Sequence, residues 1–250
     1  MGTSDVNGPT NFADPLRFFS RVLVWLYTRW VRVMYPFASI GRKVSFHYTS
    51  DLRNTGLIEL GDFVAIHKDV WLHAHQPNTE DDRASLNPII TIGDRSSIAR
   101  RCHISSKNRI IIENDVMFAA GVLVQDNGHN FSQVGVPIRD QGVIEGGTIR
   151  IGQGSWIGQN AAIICDRGEL SLGRNCVVAA NSVVTRSAGD YSVISGNPAR
   201  VVKQYDPSKG AWTLGSITAA GTPAKESAAS TKSTADQPLR QGGNSQLSRR

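Results

Sequence analysis

An isoleucine, valine or leucine recurs every sixth residue through the middle of the chain, and glycine often follows it. The pairs with glycine are Leu60–Gly61, Ile92–Gly93, Ile151–Gly152, Ile157–Gly158 and Leu172–Gly173. A six-residue period matches neither an α-helix nor an ordinary strand, whose periods are about 3.6 and 2 residues. It is typical of a parallel β-helix, in which each hexapeptide forms one short strand and one turn. The pattern therefore predicts an all-β fold of stacked coils.

Three hexapeptides close one triangular coil, so the inward apolar residues group in threes. The predicted triplets are 60/66/72, 92/98/104, 112/118/124, 151/157/163 and 172/178/184, preceded by a less regular coil at 40/46/52. The spacing is constant within each triplet, and every irregular step follows the third member. All insertions are therefore expected to leave the coils at one corner and to stack along one edge of the prism. That edge is expected to carry His73, Asn108, His129 and Arg167.

The position two residues before most inward apolar residues also faces the narrow interior, so it should be small or slim. It is occupied by Ser96, Cys102, Val116, Val122, Ser155, Ala161, Cys176 and Ser182. We therefore interpret Cys102 and Cys176 as packing residues. The 3 cysteines give neither a disulfide framework nor a metal-ligand spacing, which favours a reducing compartment.

The charge of the chain lies mainly outside the repeats. The formal net charge is +6, but residues 41–205 hold 17 Lys/Arg and 16 Asp/Glu. Because the repeats show no basic stripe with interleaved aromatics, we expect no nucleic-acid partner. The predicted organisation is a disordered N-terminus (1–15), an amphipathic basic helix (16–37), the β-helix domain (38–203) and a disordered low-complexity tail (206–250).

The segment 16–35 is rich in large apolar side chains, and Arg17, Arg21, Arg29 and Arg32 fall on one helical face. Four arginines make a membrane-spanning helix costly, and no cleavage site indicates a signal peptide. The pattern favours a helix lying on an anionic membrane, although its apolar side chains can equally cap the open end of the prism. The expected location is cytoplasmic, with the inner membrane face as a peripheral site.

Several local motifs accompany the repeats. They are Gln125-Asp126-Asn127-Gly128-His129, Pro137-Ile138-Arg139-Asp140-Gln141-Gly142, Ser155-Trp156-Ile157-Gly158 and Gly196-Asn197-Pro198-Ala199-Arg200. Together they resemble the hexapeptide-repeat O-acetyltransferases, including galactoside, maltose and nodulation-factor acetyltransferases and those of cell-surface polysaccharide assembly. The resemblance covers about residues 40–203 and implies a left-handed parallel β-helix that assembles as a homotrimer.

The resemblance implies transfer of an acetyl group from acetyl-CoA to a hydroxyl of a sugar or glycan precursor. His129 occupies the position of the catalytic histidine, and an imidazole suits a general base near neutral pH. Asp126 can accept a hydrogen bond from this ring, or it can begin a turn through an Asx bond. Asn108, on the preceding coil, is a candidate for binding the acceptor.

The resemblance also implies that acetyl-CoA lies along the later coils between two subunits. Trp156 and Gln159 would then flank the thioester and the pantetheine arm, and Ala180 and Thr185 would contact the arm. Arg200 and Lys203 would bind its phosphates. The chain reads Ala180-Asn181-Ser182 where many relatives have Ala-Gly-Ser, so Asn181 is a departure from the family pattern.

Other functions remain as alternatives. The same fold occurs in zinc carbonic anhydrases, and His67, His73, His75 and His103 are candidate ligands. The family's histidine spacing is missing, however, so we expect no metal. N-acetylation of a nucleotide-linked amino sugar is a second alternative, and a non-catalytic trimeric scaffold is a third. Acceptor specificity is expected in the loops 73–91 and 129–148.

Overall fold

The computed structural model describes residues 15–76 and 88–214. Residues 1–14, 77–87 and 215–250 lie outside this description, together with most of the expected N-terminal and C-terminal tails. Part of the loop 73–91 is therefore not described either. All described residues belong to one compact unit, residues 1–217, and the second unit, 218–250, falls outside the description.

One α-helix and 21 short strands form the described part of the chain. The helix α1 spans Pro15–Met34, and the 3-10 turns span Thr55–Leu57 and Ile138–Asp140. In chain order the strands are β1 Ser39–Ile40, β2 Ser45–Phe46, β3 Asp51–Arg53, β4 Ile58–Leu60, β5 Ala65–Ile66, β6 Trp71–Ala74, β7 Ile90–Ile92, β8 Ser97–Ile98, β9 His103–Ser106, β10 Arg109–Ile112, β11 Met117–Phe118, β12 Leu123–Gln125, β13 Thr148–Ile151, β14 Trp156–Ile157, β15 Ala162–Ile164, β16 Glu169–Leu172, β17 Val177–Val178, β18 Val183–Val184, β19 Ser192–Gly196, β20 Ala199–Asp206 and β21 Ala211–Leu214.

Every third strand belongs to the same sheet, as a triangular coil requires. The first sheet has the order β1-β4-β7-β10-β13-β16, and the third sheet runs from β3 through β6, β9, β12 and β15 to β18. The second sheet begins β2-β5-β8-β11-β14-β17 and continues into β19, β20 and β21. Strands of successive coils pair in parallel, so the parallel β-helix predicted by the six-residue period is confirmed.

The inward residues form the core at the predicted positions. Ile66 pairs in register with Ile98, and Leu72 with Ile104, and all four side chains are buried. The predicted triplets are buried throughout, apart from the half-buried Ile40 of the first coil. The first sheet adds a second inward row that the period alone does not identify, because its strands are longer. This row consists of Ile58, Ile90, Ile110, Ile149 and Leu170.

Small polar side chains fill the corners of the prism and bind backbone of the next coil. Ser96 Oγ donates to the Glu113 carbonyl at 2.9 Å, and Ser155 Oγ donates to the Gly173 carbonyl at 3.2 Å. Cys102 and Cys176 occupy equivalent places and are buried. Burial raises the pKa of the Cys102 thiol to about 11 and also raises the pKa of Cys176. The packing role predicted for both cysteines is therefore confirmed.

The two longest connections between consecutive strands leave the prism where the third sheet is followed by the first, between β6 and β7 and between β12 and β13. The shorter connections between β9 and β10 and between β15 and β16 lie at the same corner. We call this the loop corner. The two longest insertions leave at the predicted corner, which holds Asn108, His129 and Arg167. His73, which was expected at the same corner, lies within β6 instead, in register with Ser105.

Helix α1 packs against the first coil. Val31 is fully buried, and Thr28 Oγ1 accepts a hydrogen bond from the Phe46 backbone N–H at 3.0 Å. Many other apolar side chains of α1 remain exposed, including Val33 at 82%. Among residues 15–76 and 88–214, no helix is both long and apolar enough to cross a membrane.

The opposite end of the prism is extended by antiparallel strands. β19 pairs with β20, and β20 pairs with β21. Ordered structure therefore continues to Leu214, beyond the boundary expected at residue 203, because Tyr205 and Trp212 face each other across this hairpin with ring centroids 5.6 Å apart.

Candidate active site

His129 lies at the start of the long loop between β12 and β13, which we call the His loop (126–147). Its side chain is exposed, while its backbone pairs with Val143 in an antiparallel bridge. The Asn130 N–H donates to the Gly142 carbonyl at 3.0 Å, and the Ile144 N–H donates to the Gly128 carbonyl at 2.9 Å. The imidazole of His129 is thus accessible to solvent, while backbone hydrogen bonds hold the residues on either side of it.

Asp126 lies fully buried beneath this loop and is surrounded by donors. Ser106 Oγ donates to Oδ2 at 2.6 Å, and the Lys107 N–H donates to Oδ1 at 2.8 Å. The backbone N–H groups of Asn108 and Arg109 donate to Oδ2 at 3.1 and 2.9 Å. The carboxylate therefore fixes the turn of the preceding coil. Among the hydrogen bonds of the described residues, none joins Asp126 to the His129 ring.

Lys107 connects the same turn to the far side of the His loop. Its side chain is only 9% exposed, and Nζ lies 3.3 Å from Glu145 Oε1. Nζ also donates to the Val143 carbonyl at 3.5 Å, next to the bridge with His129. Asp126 and Lys107 together hold both ends of the His loop against the coil below it.

A groove of about 540 Å³ opens beside the bridge between His129 and Val143. It is lined by Asn130, Ser132, residues 143–146 and residues 166–168. Arg167, which the sequence placed on this edge, belongs to the lining together with Asp166. The lining combines charged, amide, hydroxyl and backbone groups, which suits a ligand with many hydroxyls.

Asn108 lies at the same corner, where its side chain holds backbone. Its Nδ2 donates to the Gly147 carbonyl at 3.2 Å and lies 3.4 Å from Thr148 Oγ1. These contacts fix the exit of the His loop, next to Gly146 of the groove lining. The structure therefore brings Asn108 and His129 to one site, with the Asn108 amide already engaged.

Sequence reasoning missed a polar network beneath the His loop. Asn127 Nδ2 donates to the Ser105 carbonyl at 3.2 Å and lies 3.3 Å from Ser105 Oγ. Ser105 Oγ is in turn 3.1 Å from His75 Nε2. The consecutive polar residues 125–127 could have indicated this network. Three polar side chains at the end of a buried strand need hydrogen-bond partners from neighbouring coils.

The outer face of the third sheet carries a group of aromatic rings. The Trp71 and His103 ring centroids are 3.7 Å apart, and those of His73 and His75 are 4.2 Å apart. Burial lowers the pKa of His73, His75 and His103, which favours their neutral forms. Across the described residues, no group of three or more His, Cys, Asp or Glu side chains is placed to hold a metal ion.

The residues expected to bind CoA occupy a different part of the prism. Trp156, Val177, Val193 and Lys203 form one row of in-register partners across the second sheet. The ends of this row, Trp156 and Lys203, are both exposed and are separated by three strand spacings, about 14 Å. Arg200 lies on the same strand as Lys203, with Nη1 donating to the Ala199 carbonyl at 2.8 Å.

Gln159, Ala180 and Thr185 are also exposed, near the corner between the second and third sheets and at the end of β18. Asn181, the departure from the family pattern, has φ 57° and donates its backbone N–H to the Gln159 carbonyl at 2.9 Å. Asparagine tolerates this left-handed backbone better than most residues. The turn therefore forms here with asparagine at its left-handed position.

The second sheet is the face opposite the loop corner of a triangular prism. The structure consequently does not bring His129 together with Trp156, Arg200 or Lys203 within one chain. In a single chain the expected base therefore lies opposite Trp156, Arg200 and Lys203, whereas Thr185 follows the third-sheet strand β18.

Comparisons with known proteins agree with these features. Residues 148–186 match the family model described as "Hexapeptide repeat of succinyl-transferase". A probable acetyltransferase of Mycobacterium tuberculosis is 30% identical over 164 residues, which cover 66% of this chain and 49% of that protein. A putative lipopolysaccharide biosynthesis O-acetyl transferase of Escherichia coli is 29% identical over 130 residues, or 50% of this chain and 65% of that protein. The chain thus spans between half and two thirds of these relatives.

A solved structure supports the fold. The N-acyltransferase AntD from Bacillus cereus, in complex with dTDP and 3-hydroxybutyryl-CoA, superposes with a TM-score of 0.57 at 20% identity, covering 73% of this chain and 91% of AntD. Together with the repeats and the parallel coils, these relatives confirm the predicted left-handed β-helix and the resemblance of this chain to the hexapeptide-repeat acetyltransferases.

Proposed function

We propose that the chain transfers an acetyl group from acetyl-CoA to a hydroxyl of a sugar or glycan precursor, with His129 as the general base. The observation that carries this proposal is the exposed imidazole of His129, held by its backbone bridge to Val143 beside a polar groove. The relatives named acetyltransferases, and the O-acetyl transferase among them, support the reaction class.

The chemistry needs few groups. The neutral imidazole of His129 takes the proton of the acceptor hydroxyl while the oxygen attacks the thioester carbonyl. The tetrahedral intermediate then collapses and breaks the carbon–sulfur bond. The imidazolium returns its proton to the leaving thiolate, so the products are the acetyl ester and free CoA. General-base catalysis of this kind contributes about 100- to 10,000-fold to the rate.

Asp126 serves in this mechanism as a positioning residue. Its carboxylate holds residues 106–109, and Lys107 carries that support to Val143 beside His129. Asn108 closes the same loop and contributes to the shape of the acceptor groove. We place the acceptor between Asn130 and Arg167, where the groove is lined by polar groups.

The acetyl-CoA site is proposed along the exposed row that ends at Trp156 and Lys203, with Arg200 and Lys203 binding phosphates and with Gln159, Ala180 and Thr185 along the arm. Because this row faces away from the loop corner, one chain cannot supply both halves. We therefore propose a homotrimer in which His129 of one subunit faces the CoA row of its neighbour.

N-acetylation of a nucleotide-linked amino sugar is the second candidate function. The supporting observation is the likeness of the fold to an N-acyltransferase that binds dTDP and an acyl-CoA. An amine acceptor requires the same removal of a proton and the same thioester attack. The two candidates are separated by the acceptor alone.

The test measures thiol release from acetyl-CoA with sugars, nucleotide-linked amino sugars and lipid-linked saccharides as acceptors. His129→Ala is expected to lower kcat by at least about 100-fold with the best acceptor. The matched control is His67→Ala, which removes another exposed imidazole, on a different corner of the prism. Equal rates for wild type and His129→Ala would exclude this base, and turnover with amines only would select the N-acetylation function.

A further inference from the structure

Helix α1 is held against the prism by one of its faces. Val31 is fully buried, and Thr28 Oγ1 accepts from the Phe46 N–H at 3.0 Å. Tyr27 and Tyr35 are partly buried against the same core. These contacts fix the rotation of the helix about its own axis, and therefore which side chains point away from the protein.

The face opposite Val31 carries several large apolar side chains. At about 100° per residue, Val22, Leu26 and Val33 lie roughly 140–180° from Val31 around the helix. Leu26 is 51% exposed and Val33 is 82% exposed. Other large apolar side chains of α1 are exposed as well, namely Phe18, Phe19, Leu23, Trp25, Trp30 and Met34. An apolar surface of this kind on a folded chain marks a binding surface.

Arginines accompany these apolar side chains: Arg29 lies about 160° from Val31 around the helix and Arg32 about 100° from it. Helix α1 contains no Asp or Glu. Arg29 lies over the Trp25 ring, 4.5 Å from its centroid, and Arg32 donates to the Gly41 carbonyl. Lys43 of the first coil lines the same groove of about 680 Å³ as these arginines. In the described part of the chain, none of Arg29, Arg32 and Lys43 forms an ion pair with a carboxylate.

The groove itself combines two kinds of surface. It is lined by Trp25, Thr28, Arg29, Arg32, Val33 and Lys43. Three cations at its rim suit a phosphate, and the indole and the valine suit a hydrocarbon chain. Tryptophan also favours the boundary between headgroups and acyl chains.

We propose that α1 and this groove form a binding surface for an anionic phospholipid membrane. The apolar face containing Leu26 and Val33 enters the acyl boundary, and Arg29, Arg32 and Lys43 bind lipid phosphates. A second copy of this chain is the less suitable occupant, because two such helices would bring arginines together without any acidic partner from α1. Charge complementarity therefore selects the anionic membrane.

The consequence of this surface for acetyl transfer rests on the proposed function. Membrane binding would hold the catalytic prism next to an acceptor that is itself attached to a lipid. The binding itself is independent of acetyl transfer, so the two are tested separately.

The test is flotation of the full chain with vesicles of phosphatidylcholine alone or of phosphatidylcholine mixed with phosphatidylglycerol. We expect partitioning onto the mixed vesicles that weakens with added salt. Arg29→Gln and Arg32→Gln should each lower the partition coefficient about fivefold. Leu26→Ser and Val33→Ser should each lower it roughly tenfold. Arg100→Gln, an exposed arginine outside α1, is the matched control and should partition like the wild type.

The proposal would be overturned by no binding of the wild type to either vesicle, by equal binding to both vesicles, or by equal loss in Arg100→Gln and Arg29→Gln. A change in oligomeric mass of Leu26→Ser or Val33→Ser without any change in flotation would also overturn it, and would assign the face to a second copy. Since Val33 is 82% exposed, its substitution removes little packing, and circular dichroism checks that the fold remains. Thiol release with a water-soluble acceptor measures the proposed function separately.

Discussion

At the scale of single residues, Asp126 joins the His loop to the coil beneath it. Its two oxygens receive three consecutive backbone N–H groups and the Ser106 hydroxyl, and the side chain is fully buried. A carboxylate suits this place because charged acceptors make stronger hydrogen bonds than neutral ones. Asp126, three residues before His129, thus supports the His loop through the backbone of another coil.

Replacing Asp126 by Asn should test this role. The amide keeps one acceptor oxygen and turns the other into a donor, so it faces N–H or O–H groups that lose their partner. We expect a loss of about 3 kcal/mol in the free energy of unfolding, measured by urea denaturation. Asp166→Asn, on the next loop of the same corner, is the control because its side chain is exposed. Equal stabilities of the two variants would contradict the assignment.

The sequence predicted His129 and Asp126 but not the partners of the carboxylate. His129 stands in a recognisable motif on the longest insertion, so its position could be read directly. The donors to Asp126 come from residues 106–109, which the coil stacking brings beneath the loop. Spacing along the chain cannot show which backbone N–H groups a buried carboxylate will meet, because that depends on how adjacent coils align.

At the scale of elements, the outer face of β6 and β9 carries imidazoles in unusual surroundings. His73 Nδ1 and His103 Nε2 are buried and have no hydrogen-bond partner. Burial is the main cause that lowers the pKa of both rings, and the neighbouring imidazoles add to it. The sheet therefore holds these side chains as neutral aromatic packing groups.

This arrangement predicts a loss of stability on acidification. In the unfolded chain these histidines titrate near their ordinary pKa of 6.5, whereas in the folded protein they resist protonation. The unfolded state therefore binds more protons once the pH falls below about 6.5, and folding stability falls with it. We expect the melting temperature to drop by a few degrees between pH 7.5 and pH 5.5. His103→Phe should flatten this dependence, and His67→Gln should not.

For helix α1, the sequence pattern predicted the helix but not the face that packs against the prism. Its existence was predicted from composition and spacing, and the structure has it at Pro15–Met34. Large apolar side chains occur around most of its circumference, so the sequence could not select the face that packs. The hydrogen bond between Thr28 and Phe46 and the burial of Val31 decide it. Helix α1 therefore covers the first coil with one face and exposes apolar side chains on the opposite face.

Strand β21 is an element that the sequence did not predict. Its residues Ala211–Leu214 follow a segment poor in large apolar side chains, and the composition of the region predicted disorder from residue 206. The strand forms because β20 offers it a free edge, with Tyr205 opposite Trp212 in register. The average composition of the tail does not show that one of its residues, Trp212, can pack against Tyr205.

At the scale of the whole molecule, the six-residue period was sufficient to predict nearly the entire prism. The predicted inward triplets coincide with the in-register pairs, because each coil contacts only its neighbours and errors do not accumulate. The site was predicted less completely. His129 and the row containing Trp156 and Lys203 could be named, but only closed coils show that they face opposite directions.

This opposition predicts complementation between subunits. His129→Ala and Lys203→Ala should each be poorly active alone, the second chiefly through a raised KM for acetyl-CoA. Co-expressed with different tags and purified as mixed oligomers, they should regain activity, since some interfaces then carry both intact halves. Mixed oligomers as inactive as their parents would show that the site lies within one chain. A light-scattering mass of three chains is the accompanying expectation.

The position of the two longest connections at one edge also bears on how such a fold can change. A residue added to a loop at that edge does not change the strand register in the three sheets, because the next coil begins its six-residue period anew after the loop. The prism and the loops at this edge can therefore vary independently of each other. Selection can lengthen, shorten or exchange the His loop while the prism keeps folding, and under the proposed function new acceptor specificity would arise along this single edge.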